Sequence, residues 1–193
     1  MFLLYLISMK TVDRRSAIKK LKSLIFTQKS EPIPFREKIE KDYSTIFLPN
    51  GVELSETKIG KVNCDLLIPE VASKNRVMIY VYGGSFVGGT RSSWRSFCAS
   101  LAHASSSETY VPELHRAPEH PFPAALEDVV EVLKILSSLK QEIVLMADSA
   151  GASLAIGAIL SLPKTIRTKI KEVVLFSPWF EKSTKQGGNI WQS

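Results

Sequence analysis

The sequence predicts an α/β fold, with a mostly parallel sheet covered by helices on both faces. Three observations carry this. Val77–Val81, Ile143–Met146 and Glu172–Phe176 read as short strands, the first two continuously apolar, as strands buried on both faces of a parallel sheet are. Helical periodicity fills the intervals between them, and strands alternating with helices build such sheets. The chain has 193 residues, 45% of them hydrophobic, which is enough for one globular domain with a real core.

From the N-terminus, Thr11 to Phe26 reads as a basic amphipathic helix. Ile18, Leu21 and Ile25 share one face, with Lys19, Lys20 and Lys22 elsewhere. Glu31-Pro32-Ile33-Pro34 breaks it. Tyr43–Leu48 and Val62–Ile68 read as strands, with Pro49-Asn50-Gly51 as the turn between. After the strand Val77–Val81 come a helix from Trp94 to His103 and a short strand at Thr109–Val111. Pro123 opens a helix from Ala124 to Leu139, with Leu126, Val129, Leu133 and Leu136 on its inner face. The strand Ile143–Met146 leads into a small, apolar and therefore buried helix, Ala152–Leu162, stopped by Pro163.

The formal charge is +6, and most of the excess lies between Lys10 and Asp42, where ten basic residues face five acids. That stretch carries no nucleic-acid motif, so a solvated helix face is the better reading and no nucleic-acid partner is expected. The apolar start, Met1–Ser8, is too short to span a bilayer and lacks a signal peptide's flanks; Met9 is an equally good start. Cys64 and Cys98 have no metal-type spacing and read as free buried thiols, which with the missing leader makes the cytoplasm the expected location. Neither a cofactor nor a metal is called for.

Chemistry concentrates in two glycine-containing turns at strand ends. Ala147-Asp148-Ser149-Ala150-Gly151 sits between a strand and a helix. A serine nucleophile must stand on a sharp turn, and small residues two before and two after it let strand and helix approach. Taken alone, an ordinary strand-to-helix turn explains this segment equally well. Tyr82-Gly83-Gly84-Ser85-Phe86 follows another buried strand, where glycines let backbone N–H groups face a ligand. A phosphate loop is the rival, but no Gly-Lys-Ser/Thr follows and the glycine spacing is wrong for a dinucleotide turn.

These two turns, together with Ala117-Pro118-Glu119-His120-Pro121-Phe122-Pro123-Ala124-Ala125-Leu126-Glu127-Asp128 and Ser177-Pro178-Trp179, occur in an order that resembles the hormone-sensitive-lipase-like branch of the α/β-hydrolases. That branch comprises carboxylesterases and lipases. The resemblance covers roughly residues 43–182. It implies an α/β-hydrolase fold, C-terminally truncated, with residues 1–42 as a basic helical cap segment and residues 43–193 as a partial hydrolase domain.

The resemblance also assigns roles. Ser149 would attack the carbonyl of a small-molecule ester. The amides of Gly84, Ser85 and Ala150 would form the oxyanion hole, with Gly83 shaping the loop and Ser85 needing a glycine-like dihedral. Tyr82 stands where relatives have a loop-organising histidine. Leu114-His115-Arg116 stands where they read Tyr-Arg-Leu, so a structural hydrogen-bonding position is expected to be lost.

In this fold the acid and the histidine base follow the nucleophile. After Ser149 the chain holds Glu172 and Glu181 but no aspartate and no histidine, so neither triad partner is present. His103, His115 and His120 read as surface or structural residues. A gene fragment, a displaced reading frame or a shortened chain is the expectation, with an exposed sheet edge left uncovered by the polar tail 182–193. Three functions stay open: a serine carboxylesterase represented by its first two-thirds, a non-catalytic binding module of the same fold, and, more weakly, an anionic-surface binder working through residues 10–42.

Overall fold

The computed structural model describes residues 14–22, 26–27, 29–43, 47–140 and 142–180. In chain order the elements are α1 (Arg14–Lys22), α2 (Pro32–Asp42), β1 (Val52–Ile59), β2 (Val62–Pro69), β3 (Arg76–Val81), α3 (Arg91–Ser105), β4 (Glu108–Pro112), α4 (Ala124–Leu139), β5 (Glu142–Asp148), α5 (Ser149–Ser161), α6 (Lys164–Arg167) and β6 (Ile170–Phe176).

The six strands form one sheet in the order β1-β2-β4-β3-β5-β6. β4, β3, β5 and β6 are parallel, and β2 is antiparallel to both of its neighbours, so it alone runs against the rest. β3 lies at the centre, and Val77, Ile79 and Val81 have no exposed surface. α4 buries Val129, Val132, Leu133 and Leu136; of the four residues expected on its inner face, Leu126 is only partly buried, and Val132 was not foreseen. α5 is nearly featureless in polarity because it too is buried, packing against the sheet and α4.

Four expectations change. The strand beside β2 is Val52–Ile59, joined to it through Gly60 and Lys61, and not Tyr43–Leu48. Residues 44–46 of that segment lie outside the described residues, and Phe47 and Leu48 are irregular. Val52–Ile59 escapes detection because it is an edge strand whose glutamates and threonine leave little apolar signal.

The Pro32–Pro34 segment opens a helix, whereas the preceding helix is described only to Lys22 and Phe26 and Thr27 are already irregular. Proline at the first helical position forfeits an amide that has no partner there anyway. α5 begins at Ser149, ahead of the expected Ala152. Ile18, expected on an apolar face of the first helix, is 42% exposed; the side chain of Leu21 and residues 11–13 and 23–25 lie outside what is described. The tail 182–193 and the apolar start also lie outside. Among the described residues no helix is long and apolar enough to cross a membrane.

Candidate functional site

β3 and β5 are neighbours, so the turns that leave them lie side by side at the same end of the sheet. Ser149 is the first residue of α5 and has φ +48°, a left-handed backbone that side-chain-bearing residues rarely adopt. The turn is that sharp because the helix starts hard against β3. A Cβ on Gly151 would stand 2.2 Å from the Val81 carbonyl oxygen and 2.5 Å from that of Tyr82. Only glycine fits there.

The β3 turn presses back on the serine. A Cβ on Gly83 would lie 2.9 Å from the Ser149 Cβ and 2.6 Å from Asp148 Oδ2. Gly84 has φ +117°, and its carbonyl accepts from Val87 N–H at 3.1 Å and Gly88 N–H at 2.8 Å, closing a tight turn. Ser85 and Phe86 follow at φ +57° and +62°, so Ser85 does take the glycine-like dihedral. The Gly84 and Ser85 N–H groups have no acceptor among the described residues. The Ala150 N–H lies in the first turn of α5, where amides have no intrahelical acceptor. The Gly83 N–H is different: it donates to Asp148 Oδ1 at 3.0 Å.

Asp148 ties the two turns together. The same Oδ1 accepts from the Tyr80 hydroxyl at 2.9 Å. Burial raises the Asp148 carboxyl above the ordinary aspartate range, opposed by hydrogen bonds from Tyr80, Gly83 and Trp94. Burial, then the nearby Asp148 charge, pushes Tyr80 up in turn. Sequence reasoning passed over Asp148; the signal was an acid beside the serine at the end of a buried strand.

The Tyr82 hydroxyl accepts from Leu114 N–H at 3.0 Å, and its ring stacks on Trp94, which stacks on Tyr43. A third strand end joins them. Trp179 N–H donates to the Ser149 carbonyl at 3.0 Å, Ser153 Oγ donates to the Trp179 carbonyl, and the Trp179 ring lies 5.8 Å from that of Phe86. Two aromatic rings therefore meet near the serine.

None of the histidines bonds the serine, although His115 lines a small pocket together with Gly83, Ala150 and Gly151. His115 donates its backbone N–H to Asp128 Oδ2 at 2.7 Å and places Nδ1 2.9 Å from both carboxylate oxygens. Within the 114–116 segment it is His115 that makes a side-chain hydrogen bond to α4. His120 packs edge-on against that imidazole at 4.5 Å, and both line a cleft of about 540 Å³ that includes neither Ser149 nor the Gly83–Ser85 turn. His103 is exposed on α3. Among the described residues no histidine hydrogen-bonds Ser149, and no cluster of three or more His, Cys, Asp or Glu could hold a metal. Glu172 is exposed on β6, and Glu181 is outside the described residues.

A family model described as the alpha/beta hydrolase fold matches residues 78–191. The chain is similar to an acetyl-hydrolase of Streptomyces hygroscopicus, 35% identical over 109 residues, which cover 54% of this chain and 36% of that one. It is also similar to an esterase of Acinetobacter venetianus, 27% identical over 113 residues, covering 57% and 37% of the two chains. Among solved structures, a hormone-sensitive lipase from a metagenome library superposes with TM-score 0.71 at 25% identity, over 86% of this chain and 58% of that one. The chain thus spans little more than a third of the length of these two curated relatives.

Proposed function

The chain belongs to the α/β-hydrolase fold family, in its hormone-sensitive-lipase-like branch of esterases and lipases, and from that premise we propose that it carries the nucleophile of a serine carboxylic-ester hydrolase, Ser149. The observation that supports this most is the left-handed Ser149 between β5 and α5, with Gly83 pressed against its Cβ. A strained serine at that junction stands clear of both elements, where an ester carbonyl can reach Oγ.

Ser149 Oγ attacks the carbonyl carbon of a small-molecule ester. The carbonyl oxygen, now an oxyanion, accepts from the amides of Gly84, Ser85 and Ala150, whose positions are fixed before substrate arrives. Gly83 contributes by shape, since its N–H holds Asp148. Collapse of the tetrahedral intermediate expels the alcohol and leaves an acyl-enzyme, which water then hydrolyses. The rings of Phe86 and Trp179 would flank the acyl or alcohol group. Residues 150–193 contain no histidine and no aspartate, so the base that takes the Ser149 proton and later activates water is not among them. The cap role of residues 1–42 and a cytoplasmic location, favoured by the unpaired buried Cys64 and Cys98, belong to the same reading.

A second reading, a binding module that keeps the turn without turnover, is favoured by the absence of any histidine on Ser149 among the described residues. One experiment separates them. Acylation and deacylation both draw on that base, so imidazole is supplied in the buffer and the acyl-enzyme is trapped before water removes it. After exposure to p-nitrophenyl butyrate and acid quench, the butyryl group is expected on the peptide holding Ser149 and absent from Ser149→Ala. Butyrylation spread over lysines, equal in both proteins, would leave the binding module standing.

A further inference from the structure

We propose that Arg36, on helix α2, is a positioning residue for the oxyanion turn, acting as a staple between the N-terminal segment and the backbone that follows β3. The inference rests on the ester-hydrolase reading of that turn, which it deepens. Arg36 Nε donates to the Val87 carbonyl at 2.7 Å, and Nη2 donates to the Ala117 carbonyl at 2.8 Å. The outer edge of the guanidinium forms a bidentate pair with Glu119, at 2.9 and 2.5 Å. One planar group thus joins α2, residues 84–88 and the Ala117–Glu119 segment, and only the arginine fork can satisfy all three together.

Two further contacts show that α2 is seated on this turn. A Cβ on Gly88 would lie 2.8 Å from the Phe35 ring and 2.9 Å from Ile39 Cδ1, so the helix rests directly on glycine backbone. At its far end Glu40 accepts from the hydroxyls of Thr90 and Ser93, at 3.0 and 2.8 Å, where α3 begins. The turn in turn bonds to the segment below, with Ala117 N–H donating to the Phe86 carbonyl at 3.0 Å.

The turn needs such support because Gly84, Ser85 and Phe86 are all left-handed, and a strained run persists only when its surroundings over-determine it. The carbonyl that Arg36 Nε grips, Val87, lies three residues past Gly84, to which the Val87 amide is itself bonded. Fixing that carbonyl fixes the direction of the Gly84 and Ser85 N–H groups. Arg36 touches no substrate in this account and acts only through the turn.

The test is amide hydrogen exchange on the full chain as wild type, Arg36→Lys and Glu119→Gln. A lysine cannot bridge both carbonyls, so the Val87, Gly88 and Ala117 amides are expected to exchange about tenfold faster in Arg36→Lys, with residues 142–148 of β5 unchanged. Glu119→Gln, which leaves both carbonyl bonds intact, is expected to stay within about threefold of wild type. With imidazole in the buffer as the base, modification of Ser149 by a fluorophosphonate should slow about tenfold in Arg36→Lys at saturating probe, with the half-saturating concentration unchanged. Unchanged exchange at Val87, Gly88 and Ala117 in Arg36→Lys would overturn the proposal, as would an increase shared equally by β5. If Ser149 is never modified, even in wild type, the ester-hydrolase reading fails while exchange still decides the role of Arg36.

Discussion

The turns after β3 and β5 are gripped from several directions, whereas β6, one strand further out, is held along one edge only among the described residues. All three strands end in the same backbone device, a left-handed residue without the freedom of glycine: Ser85 and Phe86, then Ser149, then Ser177 at φ +43°. Around Ser149 the neighbours are backbone carbonyls, a glycine Cα and a buried carboxylate. Along β6, by contrast, Val173 and Phe176 remain 41% and 37% exposed, and β5 is its only strand partner among the described residues. The same local geometry is thus over-determined at the sheet's centre and lightly supported at its edge. What separates the two places is the number of rigid groups that a changed side chain would have to displace.

The largest effect should come from the centre. In Gly151→Val the new side chain meets the Val81 and Tyr82 carbonyls, which cannot yield without parting α5 from β3. A loss of about 3 kcal/mol or more in urea unfolding is expected, or failure to fold. A tolerated Gly151→Val would mean that the close approach is not needed.

A smaller effect tests the carboxylate that binds the two turns. Asp148→Ala leaves the Gly83 N–H and the Tyr80 hydroxyl without their acceptor and should cost about 2 kcal/mol. Asp148→Asn keeps the acceptor and sharpens the point through pH. Burial raises the folded-state pKa of Asp148, so the folded protein holds this proton more tightly than the unfolded chain does. Its contribution to stability is therefore full below the unfolded aspartate value, near 3.9, and falls as pH rises through the higher folded value. Relative to wild type, Asp148→Asn should gain stability as pH rises above about 4. A difference that stays flat with pH would show that burial of the charge is not the dominant influence.

The smallest effect should be at the edge. Val173→Lys changes an exposed position and is expected to shift stability by no more than about 0.5 kcal/mol. A loss comparable to that of Gly151→Val would erase the contrast between centre and edge.

The sequence was most legible where burial made the pattern simple. Val77–Val81 and Ile143–Met146 announce themselves because both faces are covered, and the Ala147–Gly151 segment because its close approach needs small residues. Val52–Ile59 was hidden because an edge strand with Glu53, Glu56 and Lys58 has no continuous apolar run. The helix from Pro32 was hidden because proline punctuates both the end of one helix and the start of the next. Arg36 left no local trace at all: its partners lie 51, 81 and 83 residues away, and only the fold brings them together. His115 with Asp128 is similar, a pair whose meaning depends on β4 passing beside α4.

The central claim is that the fold, and not the serine alone, makes Ser149 a nucleophile. It is tested most directly by intact-mass analysis after prolonged exposure to a fluorophosphonate, with imidazole in the buffer as the base that residues 150–193 do not contain. Folded wild-type protein should carry one adduct, mapped to Ser149. Ser149→Ala and wild type unfolded in urea should carry none. Equal labelling of the folded and unfolded chains, or no adduct on Ser149 in the folded protein, would contradict the account.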